Sequence, residues 1–195
     1  DFSLSRGLGD VYKRQAQVDA VVDQVLCNGE STDAIEFTTT NTDGTTVFNW
    51  TNDNTNTGLA ASGTGDIASF VVTAGTVSEM STIVVTPTYT NNGVSCDGPS
   101  ETFTITVNPT AQVNAINDQD LCEGEVTAPI EFTTTNTDGT TTYEWTNTNP
   151  LIGLADSGIG NIPSFEVLND AANSQNAIIT VTPTYTNNGV ECTGP

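Results

Sequence analysis

The sequence predicts an all-β protein made of two tandem sandwich domains, the second of which ends before its last strand. Three observations predict this class. Two segments recur unchanged along the chain, apolar residues alternate with polar ones, and Asp-Gly and Asn-Gly pairs mark tight turns at intervals. Alternation at a period of two is typical of half-buried strands, and these dipeptides favour hairpin turns.

The internal repeat has a period of almost one hundred residues. Its two longest identical segments are EFTTTNTDGTT, at 36–46 and 131–141, and TPTYTNNGV, at 86–94 and 182–190. The first pair is offset by 95 residues and the second by 96, so one residue is inserted between them in the second copy. Self-similarity at a fixed period is the signature of a repeat architecture.

The repeat predicts one sandwich domain over 16–110 and a second over 111–195. The first copy ends on SETFTITVNP, in which Phe103, Ile105 and Val107 alternate with polar residues and predict a final strand. The second copy stops before the matching stretch. We therefore expect the chain to be cut inside a repeat and its parent protein to hold further copies.

Residues 1–15, DFSLSRGLGDVYKRQ, match nothing else in the chain and hold all three basic residues, Arg6, Lys13 and Arg14. The run resembles translated sequencing-adapter read-through, and the alternative is a genuine disordered arm. In either case we expect the segment to be poorly ordered and to lie outside the fold.

Four strands can be recognised in the middle of the first copy, followed by the final one. Inward positions keep their character between copies, since Trp50 corresponds to Trp145, whereas outward positions drift, since Val71 corresponds to Glu166. About seven strands in roughly 95 residues is typical of an immunoglobulin-like sandwich. The alternating positions are Ile35 and Phe37, Phe48 and Trp50, Phe70 and Val72, and Ile83, Val85 and Tyr89.

Turn residues separate these strands. Asp43-Gly44 stands between the second and third strands and Asn92-Gly93 between the last two, with the same pairs in the second copy. Pro87 and Pro183 fall inside an otherwise regular strand. Because proline lacks a ladder donor, we expect a bulge there or a nitrogen that faces an edge.

The charge excludes several partners. The chain has 24 acidic and 3 basic residues, a formal charge of -21, and no Lys or Arg after position 15. Such a surface cannot neutralise phosphates, so nucleic-acid binding is excluded, and an anionic membrane would repel it. No stretch is apolar and long enough for membrane insertion.

The composition also argues against an enzyme. The absence of His and the confinement of Lys to the first fifteen residues remove nucleophile–base pairs, and no carboxylate pair stands out. No cofactor motif is present. Trp50 and Trp145 could be sugar-stacking platforms, but their position on a central strand with Phe48 and Tyr143 favours the core.

Calcium is the one ligand that the loops leave open. Aspartates stand in turns rich in Asn and Gly, and Ca²⁺ takes oxygen ligands from such loops. The other interpretation is that they cap turns and keep the surface soluble. The candidates are Asp43, Asp53, Asp66, Asp97 and Asp138.

The four cysteines fall two per copy, Cys27 with Cys96 and Cys122 with Cys192. Pairing within each copy is the simplest proposal and suits an oxidising compartment. In a regular sandwich, however, the loops holding Cys27 and Cys96 lie at opposite poles. Pairing between neighbouring copies and free thiols therefore both stay open.

Several segments together resemble the PKD-like repeats of large secreted surface proteins of Bacteroidota. They are LCNGE, FNWT, GLAASGTGDIASF, TPTYTNNGVSCDG and TFTITVNP, with close counterparts in the second copy. The resemblance covers 16–195. It implies an extracellular, surface-anchored β-sandwich array in proteins linked to adhesion, gliding or matrix display, with no catalytic residues.

The sequence thus predicts a structural or adhesive repeat module that acts as a rod-like spacer of a cell-surface protein. Its partners would be neighbouring repeats and a surface polysaccharide or another cell-surface protein. The alternative is a carbohydrate-binding accessory module of a secreted polysaccharide-degrading enzyme. That alternative requires an aromatic platform open to solvent.

Overall fold

The computed structural model describes residues 15–195, so the predicted arm over residues 1–15 lies outside the described residues except for Gln15. The protein is essentially all-β, with 40% strand and 3% helix, which confirms the predicted class. The chain divides into two compact units. The first unit holds residues 15–74 and Ser78–Asn108, and the second holds Gly75–Val77 and Pro109–Pro195.

The first unit is built on one six-stranded sheet of order β1-β6-β4-β2-β3, with the short β5 also paired to β4. All neighbours are antiparallel except β1 and β6, which run parallel. A single 3-10 turn, Thr55–Thr57, follows β2. The strands are β1 (Gln24–Cys27), β2 (Thr45–Asn52), β3 (Ser62–Thr64), β4 (Glu79–Asn91), β5 (Val94–Asp97) and β6 (Glu101–Asn108).

Two extended segments around residues 31–37 and 66–72 cover the inner face of this sheet without forming a continuous ladder, and we call them the covering layer. The strands predicted near Ile35 and Phe70 are reduced to isolated bridges, because side chains take over ladder hydrogen bonds. The Thr32 hydroxyl accepts from the Phe70 N–H at 3.2 Å, and an Asp66 carboxylate oxygen accepts from the Phe37 N–H at 2.9 Å. The two bridges are Ser31 with Val71 and Ile35 with Ile67.

The core of the first unit lies between the sheet and this covering layer. Phe103 is 1% exposed, and its ring centroid lies 6.3 Å from that of Phe37 in the covering layer. Ile83 and Val85 of β4 and Ile105 of β6 are fully buried beside it. The alternation over 103–107 therefore predicted the final strand and its inward face correctly.

The second unit is built on a four-stranded antiparallel sheet of order β10-β9-β7-β8. A 3-10 turn, Pro150–Ile152, follows β7. Isolated bridges again join the covering layer, Val126 with Glu166 and Ile130 with Ile162. The strands are β7 (Thr140–Asn147), β8 (Ser157–Ile159), β9 (Ile179–Asn187) and β10 (Val190–Thr193).

The predicted Asn-Gly turns are tight two-residue hairpins. Asn92 and Gly93 have φ of 49° and 78°, and Asn188 and Gly189 have φ of 50° and 76°. Positive φ at both central residues matches the right-handed twist of the strands. The first turn leads into β5, a short strand that the sequence analysis treated as loop, so Cys96 lies in a strand.

Pro87 lies where the ladder on one side of β4 is interrupted. On that flank β6 pairs with residues 79–85 and β5 with residues 88–91, so neither strand opposes the proline. The Pro87 carbonyl accepts from the Gly98 N–H at 2.9 Å, which shows that the proline nitrogen also faces the gap. The missing donor therefore costs no ladder bond, as the sequence required.

Candidate functional site

Trp50 is the centre of the first unit's packing. It lies on β2 directly opposite Gly63 of β3, and a Cβ at Gly63 would overlap the indole ring. Its Nε1–H donates to the Gly65 carbonyl at 3.1 Å, and the residue is 7% exposed. The prediction that this tryptophan belongs to the core is confirmed.

The second unit repeats this arrangement. Trp145 lies opposite Gly158 of β8, donates to the Gly160 carbonyl at 3.1 Å and is also 7% exposed. A Cβ at Gly158 would again overlap the indole. Neither indole therefore presents the open face that sugar stacking needs.

A buried asparagine after each tryptophan was missed by the sequence analysis. The Asn52 amide donates to the carbonyls of Asn54, Leu59 and Ala60 at 2.9–3.3 Å and accepts from the Asn54 N–H. Asn147 makes the equivalent contacts in the second unit. The signal was present, because the Trp-Thr-Asn triplet is the same in both copies.

An aromatic pair links the sheet to the covering layer in each unit. The ring centroids of Phe37 and Phe48 lie 5.6 Å apart, and those of Phe132 and Tyr143 lie 5.5 Å apart at nearly the same tilt. Burial raises the pKa of the Tyr143 hydroxyl above its ordinary value. Tyr143 is thus a packing residue in the position that phenylalanine fills in the first unit.

Three of the calcium candidates accept hydrogen bonds from other residues of the first unit. A carboxylate oxygen of Asp53 accepts from the Thr82 N–H at 2.7 Å, and one of Asp97 accepts from the Thr88 hydroxyl at 2.6 Å. Asp66 accepts from the covering layer as described above. Hydrogen bonds from Thr82, first from its backbone and then from its side chain, lower the pKa of Asp53.

The other two candidates serve turns. Asp43 and Asp138, two residues before β2 and β7, have φ of 66° and 68°, and each accepts a long hydrogen bond from the preceding threonine hydroxyl. Within residues 15–195 the structure brings no three His, Cys, Asp or Glu side chains together as a metal-binding group. Calcium binding stays a prediction, which calorimetric titration with Ca²⁺ would test.

The structure corrects the simplest prediction of the disulfide pairing. One disulfide is present, between Cys27 and Cys192, whereas Cys96 and Cys122 are free thiols. Pairing within each copy was therefore wrong. The alternative of pairing between copies, which the sequence left open, accounts for the bond.

The register inside the first unit gives the physical reason. Cys27 ends β1 beside Asn108, at the Glu79 end of β4, whereas Cys96 pairs with Tyr89. Ten residues of β4 separate Glu79 from Tyr89, which corresponds to ~33 Å at the usual rise per residue. Disulfide-bonded Cα atoms lie within about 7 Å of each other. The two cysteines of this unit therefore cannot reach each other.

The parallel pair of β1 and β6 is the second feature that the sequence analysis missed. β1 is the first strand of its unit and β6 the last, and their register joins Gln24 to Ile105 and Cys27 to Asn108. The segment QVLC is too short for a period-two pattern, so its pairing depends on contacts far away in the sequence.

An open groove lies on the second unit. It is lined by residues 144–146 of β7, by Ser157–Ile159 of β8 and by Thr180 and Thr182 of β9. Of these lining residues, Glu144 carries the one carboxylate, and Asn49 stands at its place in the first unit. Glycoside hydrolysis generally uses two carboxylates. The groove thus offers polar contacts without a catalytic pair among its lining residues.

Comparison with known proteins found no protein-family model that matches the chain. No curated protein matches it either. The helical segments among residues 15–195 are two 3-10 turns of three residues each, so none has the length that a membrane-spanning helix needs.

Proposed function

We propose that this chain is a non-catalytic, load-bearing spacer segment of a secreted cell-surface protein, in which its modules also display adhesive surfaces. The observation that carries the proposal is the parallel pairing of the first and last strands of the first unit. The shared scaffold of the two units and the disulfide support it. A disulfide suits an extracellular, oxidising location.

The parallel pair resists tension because of its direction. The chain enters the unit at Gln15–Gln17, where Asn41 and Gly98 hold it, and β1 runs from that side towards its register with Asn108. When the disulfide between Cys27 and Cys192 is reduced, tension on the two ends of the unit pulls β1 and β6 in opposite directions along their length. All the hydrogen bonds between them are then loaded together, in shear.

The disulfide limits extension further. A bond between Cys27 and Cys192 carries tension directly across residues 28–191, so those residues leave the path of the load while the bond is intact. Reduction would return them to that path. Their full extension would then release on the order of 500 Å of chain.

Single-molecule pulling on the two ends of the chain tests the proposal. With the disulfide intact, we expect little extension. After reduction, we expect two unfolding events, with the first unit unfolding at a clearly higher force than the second, which has no parallel strand pair among its described residues.

A matched pair of variants identifies the element that bears the load. Leu26→Pro removes a backbone donor from the β1–β6 ladder, because the Asn28 N–H donates to the Asn108 carbonyl and alternate residues of a parallel strand bond to the same neighbour. It should bring the unfolding force of the first unit down to that of the second. Val22→Pro, at an exposed position before the strand, is the control. Equal unfolding forces for the two units in the reduced, unsubstituted chain would contradict the proposal.

A further inference from the structure

We propose that Cys122 and Cys96 are linking thiols, through which one molecule binds a second copy of this chain head to tail. Cys122 of one molecule would form a disulfide with Cys96 of the next. The partner is thus a second module of the same kind, and the bond is of the type already present between Cys27 and Cys192. The inference does not depend on the mechanical role proposed above.

Cys27 and Cys122 make the same local hydrogen bonds, and we call them exit cysteines. Their N–H groups donate to the carboxylates of Glu30 and Glu125 at 2.7 and 2.6 Å. Two residues further on, a glycine N–H donates to the covering layer at 2.9 Å in each unit. In the first unit this setting lies beside Asn108, the last residue of the unit.

Cys96 and Cys192 share a second setting, and we call them entry cysteines. Cys96 pairs with Tyr89 and Cys192 with Tyr185 across a hairpin. Each tyrosine hydroxyl donates to the backbone of the loop before the first long strand of its unit. Two residues after each cysteine, a glycine packs against the residue at which the chain enters the unit, Ala16 or Ala111.

The existing disulfide joins one exit cysteine to one entry cysteine. The remaining thiols are again one of each class, and both are exposed. Because Cys122 makes the local hydrogen bonds of Cys27 and Cys96 has the hairpin position of Cys192, the free thiols are the counterparts of the two cysteines that already form a bond. We therefore expect an exit cysteine to pair with an entry cysteine rather than with one of its own class.

The bond forms by two thiol–disulfide exchanges with a small disulfide such as oxidised glutathione. The Cys122 thiolate attacks the oxidised glutathione, forms a mixed disulfide and releases one glutathione thiol. The Cys96 thiolate of the second molecule then attacks the Cys122 sulfur and releases the other. The two electrons from the protein thiols end on two molecules of reduced glutathione.

Charge sets the conditions for this reaction. Glu123 follows Cys122 and Asp97 follows Cys96, so two acidic surfaces must approach each other. At an ionic strength near 0.1 M the screening length falls to about 10 Å. We therefore expect coupling to be faster in moderate salt than in its absence.

Two single-substitution variants with tags of different size test the proposal. Cys96→Ser leaves Cys122 as the free thiol, and Cys122→Ser leaves Cys96. The two are mixed in equal amounts in a glutathione redox buffer with moderate salt. We expect the mixed dimer to make up well over half of all covalent dimers on a non-reducing gel, and mass spectrometry to find Cys122 linked to Cys96.

Random collision of thiols predicts a different result, in which half of the dimers are mixed and the rest are divided between the two homodimers. That distribution, or an absence of covalent dimers, would overturn the proposal. Each variant alone serves as the matched control, because exit–exit and entry–entry pairs should form slowly. The Cys27–Cys192 peptide, measured in the same digest, shows that both variants are folded.

Discussion

The two units share their tryptophan, glycine and asparagine contacts yet surround their central strands differently. In the first unit, β4 is paired with β2 on one flank and with β6 and β5 on the other. In the second, β9 is paired with β7 on one flank, and on the other β10 covers residues 184–187. Local contacts are thus set by local sequence, whereas full pairing of the sheet requires a strand from the end of the repeat.

The burial of the core side chains differs between the two units in the same way as the strand pairing does. Ile83 and Val85 of β4 are fully buried, whereas their counterparts in β9, Ile179 and Val181, are partly exposed. Leu121 is also exposed, because among the described residues no strand pairs with the segment that corresponds to β1. We therefore expect the first unit to be the more stable of the two.

The largest effect should come from removing Phe103. Phe103→Ala leaves a cavity at a site that is 1% exposed and should destabilise the first unit by about 3–5 kcal/mol, with little change in the second. Hydrogen exchange measured by mass spectrometry reports both units in one sample. Protection of β4 should fall towards that of β9.

Thr104→Ala is the control for this substitution, since Thr104 lies on the opposite face of β6 and is only partly buried. Before any substitution, β4 should be better protected than β9. Equal protection of the two strands in the unsubstituted protein would show that pairing with β6 contributes little to the protection of β4.

A smaller effect should follow from supplying that strand as a peptide. A peptide with the sequence of Glu101–Asn108 should pair with residues 179–181 of β9, the counterparts of residues 83–85, and raise their protection from exchange. At a peptide concentration one hundred times its dissociation constant, the stabilisation would be about 2.7 kcal/mol. The same peptide carrying Ile105→Asp should have no effect, and equal protection by both peptides would refute strand addition.

The smallest effect should be on the stability of the first unit at acid pH. Hydrogen bonds from Thr82 hold the pKa of Asp53 below its ordinary value of 3.8, so the ionised form stabilises the folded first unit. That contribution is present at neutral pH and is lost as the pH falls below 3.8 and through the lower folded-state pKa. At the matching place in the second unit a neutral group, the Thr148 hydroxyl, accepts from the Ile178 N–H.

Asp53→Thr should therefore make the acid sensitivity of the first unit resemble that of the second. Each unit has one tryptophan, so urea unfolding followed by fluorescence in Trp145→Phe and Trp50→Phe backgrounds reports the units separately. An unchanged difference between pH 3 and pH 7 after the substitution would show that other carboxylates cause the effect.

The comparison also shows what sequence patterns could and could not predict. The strands around Phe48, Ile83 and Phe103 were predicted correctly because each alternates long enough to define a buried face. The strands near Ile35 and Phe70 were wrong as continuous strands, because Thr32 and Asp66 side chains replace ladder bonds. Whether a side chain or a neighbouring strand accepts the hydrogen bond of a given N–H depends on the tertiary structure.

By itself, the sequence determined the all-β class, the turn positions, the inward faces and the core place of both tryptophans, since these depend on residues close together in the chain. The tertiary structure decided the parallel pairing of β1 with β6, the gap that accommodates Pro87 and the state of each cysteine. Those features depend on which strands become neighbours. Strand neighbours are chosen by packing across many tens of residues, which no local pattern records.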